Sequence, residues 1–116
     1  MTEKKNLNIE DIKRLIPHRY PFLLIDRLED IKPNLSATGV KNVTFNENFF
    51  QGHFESNSVM PGDLIIESMA QAAGTLVMYS LKKDIENLSV YLLTVDKAKF
   101  RKPVYPGDVL KHKVEK

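Results

Sequence analysis

The sequence predicts an α+β domain in which an antiparallel sheet wraps one long, mostly buried helix. Three observations predict it. After Pro61 and Gly62, the run LIIESMAQAAGTLVMYSL consists of strong helix formers with apolar residues on nearly every side, the pattern of a helix covered around most of its circumference. Short stretches before and after it are rich in branched and aromatic residues with partial alternation, as strands are. The strands are grouped on either side of the helix instead of alternating with further helices, which is the α+β order.

The elements follow in turn. Asn8 suits an N-cap, Asp11 stands three residues on, and Ile9, Ile12, Leu15 and Ile16 keep helical spacing up to Pro17, so a short amphipathic helix opens the chain. FLLIDRLEDI after Pro21 and ATGVKNVTF after Pro33 read as strands. The long helix runs from 61 to about 80 with Pro61 at its first position. Gly74 inside it costs about 1 kcal/mol against alanine and marks a close backbone contact. Leu88 to Val95 reads as a strand, Ala98 and Phe100 continue an alternation, and PVYPGD makes a turn. DVLKHKVEK then begins a strand with Leu110, His112 and Val114 on one face. A sheet ending there leaves an open edge over the helix, so the expectation is that a partner chain covers it or that C-terminal strands are missing.

The 116 residues form one domain, 1–116. The net charge of +2 balances 17 basic against 15 acidic residues with no basic tract, which excludes nucleic acid as the implied partner. With no cysteine there are neither disulfides nor thiolate metal sites. The N-terminal MTEKKNLNIEDIKRL lacks the apolar core of a signal peptide, and no window is long and apolar enough to span a bilayer, so a cytoplasmic address away from membrane is expected.

Asp63, Glu67 and Gln71, spaced i, i+4, i+8, form a narrow polar stripe on the long helix. By pattern alone a solvent face accounts for it. Leu64, Ile66, Ala70 and Met78 crowd the stripe, however, and partial desolvation favours the protonated form of Glu67, which can then act as an acid. His53 lies ahead of the helix across a short polar loop and offers an imidazole base near neutral pH. A poised base and a poised acid are what elimination of water requires. Gly62 sits in the first helical turn, where unpaired amides and the helix dipole stabilise a carbonyl oxygen gaining negative charge. Each residue also has a bland reading: a structural loop histidine, a surface glutamate and a turn glycine.

LIPHRYPFLLIDR, VKNVTFNENFFQGHF, VMPGDLIIESMAQAAG and VDKAKFRKPVYPGD, in this order, closely resemble the 3-hydroxyacyl-[acyl-carrier-protein] dehydratases of bacterial type II fatty acid synthesis. The resemblance runs from about Ile9 to Asp108. It implies a hotdog fold, with the sheet wrapped around the helix at 61–80, and a homodimer, commonly assembled as a trimer of dimers, with active sites at the dimer interface. It also implies dehydration of (3R)-3-hydroxyacyl-acyl-carrier-protein to the trans-2-enoyl product, without a metal or organic cofactor. The family's catalytic histidine falls on His53, its catalytic glutamate on Glu67, reached from the neighbouring subunit, and its carbonyl-polarising glycine on Gly62. An isomerising relative has aspartate in the position of Glu67, so glutamate favours the dehydratase branch. Phe49, Phe50, Phe54, Ile65 and Met69 are candidates to line an acyl tunnel, though core packing explains most of them equally well. Lys97, Lys99, Arg101 and Lys102 are candidates to meet the acidic carrier protein, against the plainer reading of a solvated strand face. His18 and His112 are assigned no catalytic role.

The chain departs from the family pattern HFPGxPVMPGV, reading HFESNSVMPGD. Loss of the loop prolines raises the entropy that folding must overcome, and Asp63 places a carboxylate one turn before Glu67 and near the Gly62 amide. The alternatives are a hotdog acyl thioesterase, which would release free thiol, and a catalytically weakened acyl-thioester-binding relative. If Asp63 weakens the site through its charge, Asp63→Val raises turnover and moves the pH–rate profile; a variant unchanged in both would refute the charge effect.

Overall fold

In the computed structural model, residues 5–50, 59–81 and 103–115 are described. Asn8 starts α1 (Ile9–Leu15) with a reciprocal capping box: its side chain accepts the Asp11 amide at 3.0 Å while Asp11 Oδ2 accepts the Asn8 amide at 3.2 Å. The helix stops where the Arg19 guanidinium turns back and donates to the carbonyls of Lys13, Ile16 and His18, which gives helix-end acceptors a cationic partner.

Three antiparallel strands follow in spatial order: β1 (Arg27–Lys32), β2 (Ser36–Asn42) and β3 (Val109–Glu115). The β1–β2 hairpin turns at Pro33 and Asn34, proline presetting the first central position and asparagine accepting a φ of +66° at the second. The turn before β3 repeats this chemistry with Pro106 and Gly107, whose φ is +98°, and the Asp108 carboxylate accepts the Tyr105 amide at 2.8 Å. The free side of β1 is capped by the N-terminal segment: Leu7 and Leu28 exchange backbone hydrogen bonds, and the Ile31 amide donates to Lys5 O. That segment blunts a sheet edge.

Helix α2 (Gly62–Ser80) crosses this sheet. One row of the sheet runs Leu28, Gly39, His112 across the three strands, and Ala72 of α2 lies directly over its centre. A Cβ built on Gly39 would stand 2.5 Å from Ala72 Cβ, so glycine there is what allows the helix to seat this closely. One apolar cluster gathers Leu7, Ile12, Ile16, Ile25, Leu28, Ile31, Ala37, Ala72, Leu76 and Val114; a second, beside the start of α2, gathers Val43, Phe50, Met60 and Ile65.

The observed elements match the α+β expectation, with local differences. The helix begins at Gly62 with Pro61 as its N-cap, one residue later than expected. The stretch at 22–25 is not strand, because α2 side chains take up its backbone groups, and β2 ends at Asn42, where the Asn42 amide turns to Asp26 Oδ2 at 2.7 Å. A close approach of helix and sheet is seen where Gly39 of β2 meets Ala72 of α2, a contact in addition to the one the sequence expects at Gly74. Leu110, His112 and Val114 share the inward face of β3 as expected. The strand expected at 88–95 and the alternation through Ala98 and Phe100 lie outside the described residues.

Gly39→Ala is expected to lower unfolding free energy by about 1–3 kcal/mol, the usual cost of overpacking. Adding Ala72→Gly is expected to recover part of that loss despite its own helix-propensity cost of about 1 kcal/mol. Denaturant unfolding of the two single variants and the double variant checks it, and simple additivity would contradict a direct clash.

Candidate functional site

The polar stripe changes character along α2. Asp63 is exposed, Glu67 half-buried, and Gln71 only 2% exposed. A solvent face thus describes its first member alone. Gln71 is buried because it carries the hydrogen bonding of a neighbouring segment: Oε1 accepts the Leu24 amide at 2.7 Å and Nε2 donates to Phe22 O at 2.6 Å. Ser68, fully buried, donates to Leu24 O at 2.7 Å. Phe22–Leu24, released from any strand, is in this way strapped onto the helix by side chains.

Glu67 stands at the rim of this strap. Its Oε1 accepts from Gln71 Nε2 at 3.1 Å and faces His18 Nε2 at 3.6 Å. Its side chain is 46% exposed, so the burial expected from the sequence is only partial. His18 Nδ1 is buried without a hydrogen-bond partner among the described residues. Beside them Tyr20 and Phe22 turn large rings outward, 85% and 68% exposed.

At the head of α2, Pro61 O accepts the Leu64 and Ile65 amides, so the Gly62 amide precedes the first helical hydrogen bond, as an anion-stabilising amide must. Glu67 follows Gly62 by five residues, about 7.5 Å along the axis at the helical rise of about 1.5 Å per residue. Four residues expected to line an acyl site, Phe49, Phe50, Ile65 and Met69, gather in the second apolar cluster with Val43, Met60, Leu64, Val104 and Leu110. The Phe49 and Phe50 rings meet in a tilted contact, with centroids 4.6 Å apart and planes at 52°. Their loop is anchored by an enclosed ion pair, Lys41 Nζ to Glu47 Oε1 at 2.6 Å, with side chains 9% and 15% exposed. Breaking one partner of a buried pair costs about 3–5 kcal/mol. His53 and Phe54 lie outside the described residues, as do Lys97, Lys99, Arg101 and Lys102.

A serine–histidine pair also appears that the sequence does not single out: His112 Nε2 lies 2.8 Å from Ser68 Oγ. It is not a nucleophile with its base. The single hydroxyl proton of Ser68 goes to Leu24 O, so Oγ must accept from His112 Nε2–H, and the ring nitrogen facing the serine has no lone pair to take a proton. Burial lowers the His112 pKa from 6.5 to about 4, which keeps the ring neutral. Gln71 and Ser68 were legible only as polar residues on an apolar helix; their long-range backbone partners had no signal in sequence. Among the described residues, no group of three or more His, Cys, Asp and Glu could hold a metal, and no helix is long and apolar enough to cross a membrane.

A sheet crossed by one long helix, with a half-open carboxylate on that helix and an apolar cluster at its head, is the arrangement of an acyl-thioester enzyme of the hotdog type. A family model described as FabA-like domain matches residues 16–116, and the chain belongs to this family. It is 57% identical over 114 residues, 98% of its length and 69% of the relative's, to the protein named 3-hydroxyacyl-[acyl-carrier-protein] dehydratase FabZ of Acidiphilium cryptum. Proteins of the same name from Ehrlichia ruminantium, strain Gardel, and Caulobacter sp., strain K31, are 56% and 53% identical. These matches cover 89% and 95% of this chain and 71% and 68% of the relatives.

The lowered His112 pKa makes stability depend on pH. The folded pKa lies below the unfolded one, so the contribution is complete above about pH 6.5 and is lost as pH falls through about 4. Its full size is about 3 kcal/mol, since each tenfold change in proton affinity is worth about 1.4 kcal/mol. His112→Gln, which donates without titrating, is expected to flatten this part of the profile in denaturant unfolding measured between pH 7 and 4; a slope equal to wild type would count against it.

Proposed function

We propose that this chain is a hydro-lyase that dehydrates (3R)-3-hydroxyacyl-acyl-carrier-protein to the trans-2-enoyl thioester in fatty acid biosynthesis. The observation that carries the reading is the Glu67 carboxyl, held at one oxygen and half exposed on a largely apolar helix, in a chain whose relatives bear the dehydratase name. In this reading His53 takes the C2 proton as base, and the electrons of that C–H bond form the C2=C3 double bond. The C3–O bond breaks, and Glu67 protonates the departing hydroxyl so that it leaves as water. The Gly62 amide at the head of α2 stabilises charge on the thioester oxygen while the C2–H bond weakens. Phe49, Phe50, Phe54, Ile65 and Met69 then receive the acyl chain.

The reading includes a second copy of the chain. Glu67 is half open within its own chain, and Tyr20 and Phe22 expose large side chains; a partner bringing its histidine loop against the carboxyl would complete its desolvation. A homodimer, assembled further as a trimer of dimers, is the form proposed, in the cytoplasm where carrier-protein substrates are made. Lys97, Lys99, Arg101 and Lys102 are proposed to meet the acidic carrier protein.

The measurement is the ultraviolet absorbance of the enoyl thioester, followed in the hydration direction, with free thiol assayed in parallel. Glu67→Gln and His53→Ala are each expected to lower the rate by about 10²–10⁴-fold, the range for loss of one proton-transfer catalyst. Thiol release without enoyl turnover would select a thioesterase. Acyl-thioester binding without turnover, unchanged by His53→Ala, would select a binding protein.

A further inference from the structure

We propose that the enclosed Lys41–Glu47 ion pair determines acyl-chain selectivity, by pinning the Phe49–Phe50 turn as one wall of the acyl site. This rests on the reading of Phe49, Phe50, Ile65 and Met69 as that site given above.

Lys41 is set by its strand. Gly39 of β2 faces Ala72 of the helix, so Lys41, two residues on, points to the same side of the sheet. Its cross-strand partner Leu110 and, two residues further along the chain, Val43 both pack in the second apolar cluster. An ammonium group in such surroundings needs a charge partner. Among the described residues it has one, Glu47 Oε1 at 2.6 Å, and the two side chains are only 9% and 15% exposed.

Glu47 carries that fixed point into the turn after it. Its amide donates to Thr44 O at 3.3 Å, its Oε1 accepts the Thr44 amide at 3.5 Å, and its carbonyl accepts the Phe50 amide at 3.2 Å. The turn itself, Asn48–Phe50, is three residues of 3-10 helix, too short to hold a place by its own hydrogen bonds. It is held on one side by Phe50, buried with Val43, Met60 and Ile65, and on the other by the ion pair. Ile65 brings this wall to the head of α2.

With the thioester oxygen at the Gly62 amide and the C3 hydroxyl at Glu67, as read above, the carbons that reach the wall lie beyond C3. A short acyl group stops before it, whereas each methylene of a longer one gains by burial against a surface that stays in place. Loss of either charge leaves the other enclosed and unpaired. The short turn yields first, and the wall shifts with it.

Steady-state kinetics on 3-hydroxybutyryl- and 3-hydroxydecanoyl-carrier-protein are measured for wild type, Lys41→Met, Glu47→Gln, Lys41→Arg and Phe49→Ala, with folding followed by denaturant unfolding. Lys41→Met and Glu47→Gln are expected to lower kcat/KM for the decanoyl substrate by about tenfold relative to the butyryl one, the low end of the range for one methylene in an apolar pocket, and to do so through KM. Lys41→Arg, which keeps the pair, is expected to retain the wild-type ratio. Phe49→Ala is expected to lose long-chain preference in the same way, and adding Glu47→Gln to it to remove little more, since both act on one wall. Losses equal for the two chain lengths, or fully additive with Phe49→Ala, would overturn the proposal while leaving the dehydratase reading intact. Wild type inactive on both substrates would fail that reading and this inference with it. If Lys41→Met does not fold, the ratio for Glu47→Gln decides.

Discussion

Helix α2 can lie across the sheet only because its buried face satisfies the backbone of Phe22–Leu24. That segment lies outside the sheet ahead of β1 and would otherwise leave the Leu24 amide and carbonyl buried, and the Phe22 carbonyl part-buried, without partners. Each such orphan costs about 1–3 kcal/mol, and Gln71 and Ser68 remove all three with bonds of 2.6–2.7 Å. The helix therefore carries polar side chains where its apolar surroundings would predict none. Its seating is specified by direction as well as by burial, since a shift along the axis would break every one of these bonds at once.

The same strap couples the scaffold to the chemistry. Gln71 reaches from Phe22 and Leu24 to Glu67, and His18 Nε2 faces the same carboxyl oxygen. His18 is itself held by its neighbours in the chain: Arg19 closes the end of α1 on the carbonyls of Lys13, Ile16 and His18, and Ile12 of α1 and its C-cap Ile16 are anchored in the cluster shared with Ala72 and Leu76. A short N-terminal helix far from Glu67 in sequence thus contributes to where one carboxyl oxygen sits. On the opposite side of the strap, Ser68 and His112 join α2 to β3 by a bond whose geometry imitates a catalytic pair but whose proton distribution is structural. A buried, neutral imidazole that only donates is a core residue, and its presence in the sheet fixes β3 beneath the helix.

The second apolar cluster has its own polar anchor. Lys41 and Glu47 are enclosed as a pair, and Glu47 sets the start of the turn that delivers Phe49 and Phe50 against Ile65 and Met60. Pairs of this kind add little net stability, because desolvation offsets most of the attraction. What this one contributes is placement, since an unpaired lysine at that depth would cost several kcal/mol and the loop has one position that avoids it.

Much was determined by sequence alone, because it depends on neighbours in the chain. The capping box at Asn8 and Asp11, the proline turns before β2 and β3, the inward alternation of β3 and the extent of the buried helix all follow from local geometry and period. The four sequence blocks likewise carried the family, since the side chains they contain recur in order. Tertiary structure alone decided the rest. Phe22–Ile25 has the composition of a strand, yet the Phe22 carbonyl and the Leu24 amide and carbonyl bond to residues more than forty positions away. Gly39 proved to be a close-contact glycine that no local pattern singled out, because which glycine meets a neighbour depends on how helix and sheet cross. Gln71, an ordinary member of a polar stripe, became the partner of Glu67 once the chain folded back over it. Propensity and period act within a few residues, whereas the partner of a buried polar group is chosen by packing at a distance, and no local pattern encodes that choice.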